Sequence, residues 1–122
     1  MAAQQTFINA YKAGVKIAFG TDSSVTHHGE NANEFFMTVD AAMSPADTIR
    51  SATINSAELL GVQDTLGTLE IGKIADIIAI SKNPLEGIST LKKVTRSQFS
   101  LCNRWLYYLV FSFYQSSQIL FN

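Results

Sequence analysis

The chain has 122 residues, 47% of them hydrophobic and 16% charged, with a net charge of −1. That balance excludes a disordered composition and allows one domain with a modest core. It also excludes the clustered Lys and Arg that phosphate binding needs, so no nucleic-acid partner is expected.

Residues 2–13 read as a helix, with Phe7, Ile8 and Tyr11 at helical spacing. Gly14 stands where a helix stops in a left-handed cap. Val15-Lys16-Ile17-Ala18-Phe19 is a short apolar run rich in β-branched and aromatic residues, and it reads as a buried strand. Helix, glycine, then buried strand is the unit of a parallel α/β sheet. A loop with His27, His28 and Gly29 follows, and Asn31 to Ala42 reads as a helix with Phe35, Phe36 and Val39 on one face. Ser44-Pro45 opens the next helix, Ser as N-cap and Pro at the first helical position, with Asp47 in the first turn. Asn55 and Glu58 have capping-box spacing for a short helix that ends at Leu60, before Gly61.

The grammar changes after Gly61. Residues 67–73 are turn-rich, 75–80 (Ala-Asp-Ile-Ile-Ala-Ile) read as a strand, and Asn83-Pro84-Leu85 breaks it. A domain seam is expected between Val62 and Gly67. A second discontinuity lies near Thr95. Residues 96–122 hold eight of the thirteen aromatics and no Gly, Ala, Pro, Asp, Glu or Lys.

Asp22 is the leading candidate for chemistry. It follows a predicted parallel strand at its C-terminal end, the edge where loops and catalytic groups gather in barrels and open α/β sheets. A carboxylate there can bind a divalent metal or move a proton; it can equally be a turn aspartate bonded to its own backbone. His27 and His28 are the only histidines and share the same loop. Together with Asp22 they could form a local metal site, but adjacent histidines rarely point the same way, and a surface role is preferred for His27. Glu34 and Asp40 read as charge on a solvated helix face. Cys102, the single cysteine, forms no internal disulfide and has no partner at metal spacing; it reads as a packed thiol compatible with a reducing compartment. No phosphate-binding glycine loop and no G-x-S-x-G elbow occurs. Met1 to Ala13 lacks the pattern of a signal peptide, so a cytoplasmic location is expected.

Several stretches taken together resemble one family. Ala13-Gly14-Val15 with Phe19-Gly20-Thr21-Asp22-Ser23 resembles the final barrel strand of the amidohydrolase superfamily. His28-Gly29-x-Asn31-x-x-Glu34 resembles the loop and helix that follow in its imidazolonepropionase-like and Xaa-Pro dipeptidase-like branch. Met43-Ser44-Pro45-Ala46, Ile49-Arg50-x-Ala52-Thr53 and Asn55-x-Ala57-x-x-Leu60-Gly61 are similar to the next helices. Leu66-Gly67-Thr68-Leu69-Glu70-x-Gly72-Lys73-x-Ala75-Asp76 and Asn83-Pro84-Leu85 are similar to the re-entry into a flanking β-sandwich. The likeness runs over roughly residues 8 to 94, with order and spacing kept.

The resemblance implies an α/β fold, the C-terminal portion of a (β/α)₈ barrel plus part of a small β-sandwich. Residues 1–62 would be the last strand and helices, 67–95 a partial sandwich, and 96–122 an aromatic-rich tail foreign to the family, from a reading-frame shift or an altered exon. The resemblance also implies a divalent metal, zinc, in the complete enzyme, with Asp22 as both metal ligand and proton carrier and His28 near the substrate. That substrate would be a small-molecule amide, cyclic amide or dipeptide, cleaved at a carbon–nitrogen bond by metal-activated water. A full barrel takes about 250 residues and a catalytic zinc about three protein ligands. The chain alone is therefore expected to be a fragment, inactive and without a stably held metal. The alternative is a non-catalytic remnant that associates with itself or another chain through exposed barrel edges. A membrane contact is not expected, because Trp105 to Tyr114 falls short of the roughly 20 residues a spanning helix needs.

Overall fold

The computed structural model describes residues 2–21, 30–74, 77–80, 82–92, 95–96 and 118–121. Four helices come first: α1 (Ala2–Lys12), α2 (Asn33–Asp40), α3 (Pro45–Ala52) and α4 (Ile54–Leu59). Three strands follow, β1 (Ile77–Ile80), β2 (Thr95–Arg96) and β3 (Gln118–Phe121), with a 3₁₀ turn at Ile88–Lys92.

Three of the helices end in the same way. After α1 the Gly14 N–H donates to Tyr11 O and the Val15 N–H to Ala10 O, with Gly14 at φ 76°. After α4 the Gly61 N–H donates to Glu58 O and the Val62 N–H to Ala57 O, with Gly61 at φ 70°. Both are Schellman caps, which satisfy carbonyls the helix leaves without partners. The end of α2 repeats the pattern with Ala42 at φ 69°, its N–H donating to Val39 O and that of Met43 to Thr38 O.

The start of α3 is as the sequence predicts. Ser44 caps it, its Oγ accepting from the Asp47 N–H at 3.1 Å, and Pro45 occupies the first turn. Only Thr53 separates α3 from α4. The expected capping box is corrected at this point: Thr53 holds the N-cap position with no side-chain cap bond, and Asn55 and Glu58 lie inside α4. Their side chains reach across the molecule instead, Asn55 to the carbonyl of Ile17 and Glu58 to Lys16.

The core forms where the helices meet the strand region. Ile80, Ile88 and Leu91 are buried, and Phe35, Phe36, Val39 and Ile49 pack against them. The predicted apolar face of α2 is thus the face that is used. The Lys92 ammonium sits 4.2 Å from the centre of the Phe36 ring, a cation–π contact that covers this core from outside. Between α2 and α3 the buried contact is polar: Thr38, Thr48 and Ser51 are each at most 6% exposed. The Thr38 hydroxyl bonds to the Glu34 and Phe35 carbonyls of its own helix, Ser51 Oγ donates to Thr48 O, and Thr48 Oγ1 accepts from Thr38 Oγ1 at 3.4 Å, so among the described residues no buried side-chain polar atom lacks a partner.

The sheet is antiparallel throughout, in the order β2-β1-β3. Ile78 faces Arg96 on one side and Leu120 on the other. Residues 15–19, expected as a parallel strand, form no strand among the described residues. The run has the right composition, but a strand also requires a neighbour to share its backbone bonds, and no described segment lies alongside it as one.

Candidate functional site

Asp22, His27 and His28 lie outside the described residues, as does Cys102. The structure does define the chain on either side of residues 22–29, the stretch expected from the sequence to be a loop. The chain enters that stretch at Thr21, which is half-buried, and leaves it at Glu30, which is exposed. On the incoming side stands Phe19, on the outgoing side Phe35, and their rings stack at 4.5 Å between centroids with 29° between planes. An aromatic pair of this geometry adds about 0.5–1.5 kcal/mol beyond its buried area. It ties the two ends of that stretch together.

The incoming stem is held from below by α3 and α4. The Phe19 N–H donates to Ser51 O at 3.0 Å and lies 3.3 Å from Ser56 Oγ. Ser56 Oγ in turn donates to the same Ser51 carbonyl at 2.7 Å. That carbonyl belongs to the last turn of α3, where a helix has no acceptor use of its own. Two residues earlier, Asn55 Nδ2 donates to Ile17 O at 2.8 Å, and Lys16 pairs with Glu58. The outgoing stem is held by turn bonds, Asn33 N–H to Glu30 O and Glu34 N–H to Asn31 O. Glu34 is half-buried on the first turn of α2 and Asp40 exposed at its end.

Asn55, Ser56 and Phe35 were not singled out from the sequence for this role. Asn55 and Ser56 carry a polar signal next to a helix start, which local reasoning takes for a cap. Phe35 has a helical apolar spacing, which local reasoning takes for core.

A second polar cluster joins α1 to α3. Tyr11 OH donates to Asp47 Oδ2 at 2.7 Å, Ser44 Oγ donates to the same oxygen at 2.7 Å, and the Ser44 N–H donates to Tyr11 OH at 3.4 Å. The Tyr11 hydroxyl, then that of Ser44, holds the Asp47 carboxyl below its ordinary value, with Arg50 nearby adding to the effect. This cluster caps a helix.

Among the described residues, no group of three His, Cys, Asp or Glu side chains comes together to hold a metal ion. The described elements therefore supply no metal-donor set of their own. Among the same residues no helix is long and apolar enough to cross a membrane.

The chain is 38% identical over 91 residues to ochratoxinase of Aspergillus niger, a stretch covering 73% of this chain and 18% of that protein. It is 39% identical over 69 residues to imidazolonepropionase of Fusobacterium nucleatum subsp. nucleatum, covering 54% of this chain and 17% of that protein. The structure is similar to the crystal structure of a Xaa-Pro dipeptidase with bound methionine in the active site, with a TM-score of 0.72 and 49% identity, covering 75% of this chain and 22% of that one. This likeness fits the expected fold, and the chain spans about a fifth of the length of each of these relatives. The family model for the amidohydrolase family matches residues 3–112, and on that match the chain belongs to the amidohydrolase family.

Proposed function

We propose that this chain is the C-terminal part of a metal-dependent amidohydrolase that hydrolyses carbon–nitrogen bonds in a small molecule, an amide, cyclic amide or dipeptide. The observation that carries this reading is the family match over residues 3–112, joined to 49% identity with a Xaa-Pro dipeptidase structure. In this reading residues 1–62 are the last strand and helices of a (β/α)₈ barrel and 67–95 part of a β-sandwich; residues 96–122 were expected to be foreign to the family, but the family match continues to residue 112. The segment 15–19 acquires its strand neighbour from the rest of the barrel.

Asp22 is the metal ligand and proton carrier of this proposal, and His28 contacts the substrate. A carboxylate suits a divalent ion, zinc by the resemblance. When bound, the ion supplies a polarised water for attack on the amide carbon. Asp22 holds the proton released by that water and returns it to the leaving nitrogen.

The test replaces the matching segment of a Xaa-Pro dipeptidase with this chain and measures hydrolysis of Xaa-Pro dipeptides. The hybrid is expected to be active, and Asp22→Asn to lower kcat by about a hundredfold or more, the range for losing a general acid–base group. A folded, metal-loaded hybrid that is unaffected by Asp22→Asn would overturn the assignment. A second reading, a non-catalytic remnant that pairs with another copy, draws on exposed apolar residues: Leu59 at 74%, Leu60 at 73% and Ile71 at 86%. Size-exclusion chromatography of the chain separates the two, since a clean monomer argues against the remnant reading.

A further inference from the structure

We infer that Asn55 and Ser56 act as positioning residues: they form a two-point latch that sets the register and depth of residues 17–19, and so of the chain that continues into Asp22. The inference rests on the role proposed for Asp22. Its evidence is independent of that role.

The latch is built from groups on α4 and the end of α3, and none of them is close in sequence to the segment they hold. Asn55 is 38 residues from Ile17, and its Nδ2 takes up the Ile17 carbonyl at 2.8 Å. Ser56 Oγ is 3.3 Å from the Phe19 N–H, and Ser51 O accepts from that N–H at 3.0 Å. Ile17 and Phe19 are two apart, so in an extended segment they present backbone groups to the same side. A carbonyl and an N–H two residues apart are therefore bonded to one helix start, as a neighbouring strand would bond them. A slip of one residue would turn these groups the other way, parting the Ile17 carbonyl from Asn55 and the Phe19 N–H from Ser51 O and Ser56 Oγ, while the Ser51 carbonyl would keep only its bond from Ser56 Oγ. The Phe19–Phe35 stack, on the next turn of the same path, then fixes how far the segment reaches. Asp22 follows Phe19 by three residues, so whatever sets Phe19 sets the origin from which Asp22 extends.

The full chain, isotopically labelled, tests this by amide hydrogen exchange and backbone resonances. Asn55→Asp keeps the side-chain shape and loses the donor; Ser56→Ala loses the hydroxyl and Ser56→Thr keeps it. The expected result is exchange at the Phe19 amide about fivefold to tenfold faster in Asn55→Asp and in Ser56→Ala, the scale of one lost hydrogen bond. Resonances of residues 20–30, Asp22 included, shift in both, while α1 stays protected and Ser56→Thr restores the parent pattern. A space-filling role predicts that Asn55→Asp behaves like the parent. That outcome, or a uniform rise in exchange across all four helices, overturns the latch. Because no catalysis enters the measurement, the latch can fail while the Asp22 assignment stands, and the reverse.

Discussion

At Ala42 the backbone adopts φ 69°, the conformation that Gly14 and Gly61 supply at the ends of α1 and α4. An L side chain pays about 1–2 kcal/mol there. Ala42 is exposed, so nothing in the packing depends on its methyl. Ala42→Gly is expected to raise stability by about 0.5–1 kcal/mol, after the extra freedom of glycine in the unfolded chain is counted. Urea denaturation checks this, with a higher midpoint and an unchanged slope. Gly67 predicts the opposite sign. It is buried at φ 92°, and a Cβ built there would stand 2.8 Å from Ala57 Cβ and 3.2 Å from Thr53 O. Gly67→Ala should cost about 2 kcal/mol or more, because the close atoms belong to a helix and its start and cannot withdraw. The glycines at 14 and 61 were legible as helix stops because glycine favours the left-handed region; Ala42 was not, because alanine gives no such signal.

Asp47 gives a pH dependence at the same scale. Its carboxyl is held below the ordinary value by Tyr11 and Ser44, so the folded state binds this proton less readily than the unfolded one. The stability it contributes is present above the unfolded value, about 3.9, and is lost as the pH falls through the lower folded value. Tyr11→Phe removes the largest cause. It should bring the Asp47 titration back toward the unfolded value, as read by NMR of the side-chain carboxyl, and lower stability by about 1 kcal/mol near neutral pH. A titration unchanged in Tyr11→Phe would show that Ser44 alone sets it.

Among the elements, α3 was the most legible, because its start is written locally in Ser44, Pro45 and Asp47. Ser44→Ala should cost about 1 kcal/mol, measured by thermal or urea unfolding; a cost near zero would mean that Tyr11 replaces the cap. The face of α2 was legible for a related reason, since Phe35, Phe36 and Val39 repeat at helical spacing and one partner surface suffices to bury them. Two elements depart from their sequence reading among the described residues, and both departures concern long-range partners. Residues 15–19 have the composition of a strand, yet no stretch of sequence announces whether a neighbour exists to bond it. Asn55 and Glu58 have the spacing of a cap, yet they bond to Ile17 and Lys16. The candidate site residues, Asp22 and His28, lie outside the described residues, and the contacts that hold the chain on either side of them, the Phe19–Phe35 stack and the Asn55–Ile17 bond, were not legible in the sequence.

For the whole molecule, membership of the amidohydrolase family is carried by the match over residues 3–112, while the chain spans about a fifth of its relatives. The proposal that it is one part of a larger catalyst predicts negligible hydrolysis of Xaa-Pro dipeptides by the purified, metal-supplied chain. Turnover by that sample that is lost on Asp22→Ala would contradict the prediction.

The order of the sheet has a consequence for how this chain is made. β1 is flanked on one side by two residues and on the other by residues 118–121. Ile80, a centre of the core at 2% exposure, thus lies on a strand whose longer border is completed by residues almost forty positions further on. During synthesis that border stays bare until translation has passed Phe121, and bare β-edges recruit other chains. Nascent chains shortened by residues 118–122 should scatter light and bind amyloid dyes sooner than the complete chain, whereas equal lag times would mean that β1 is protected without them.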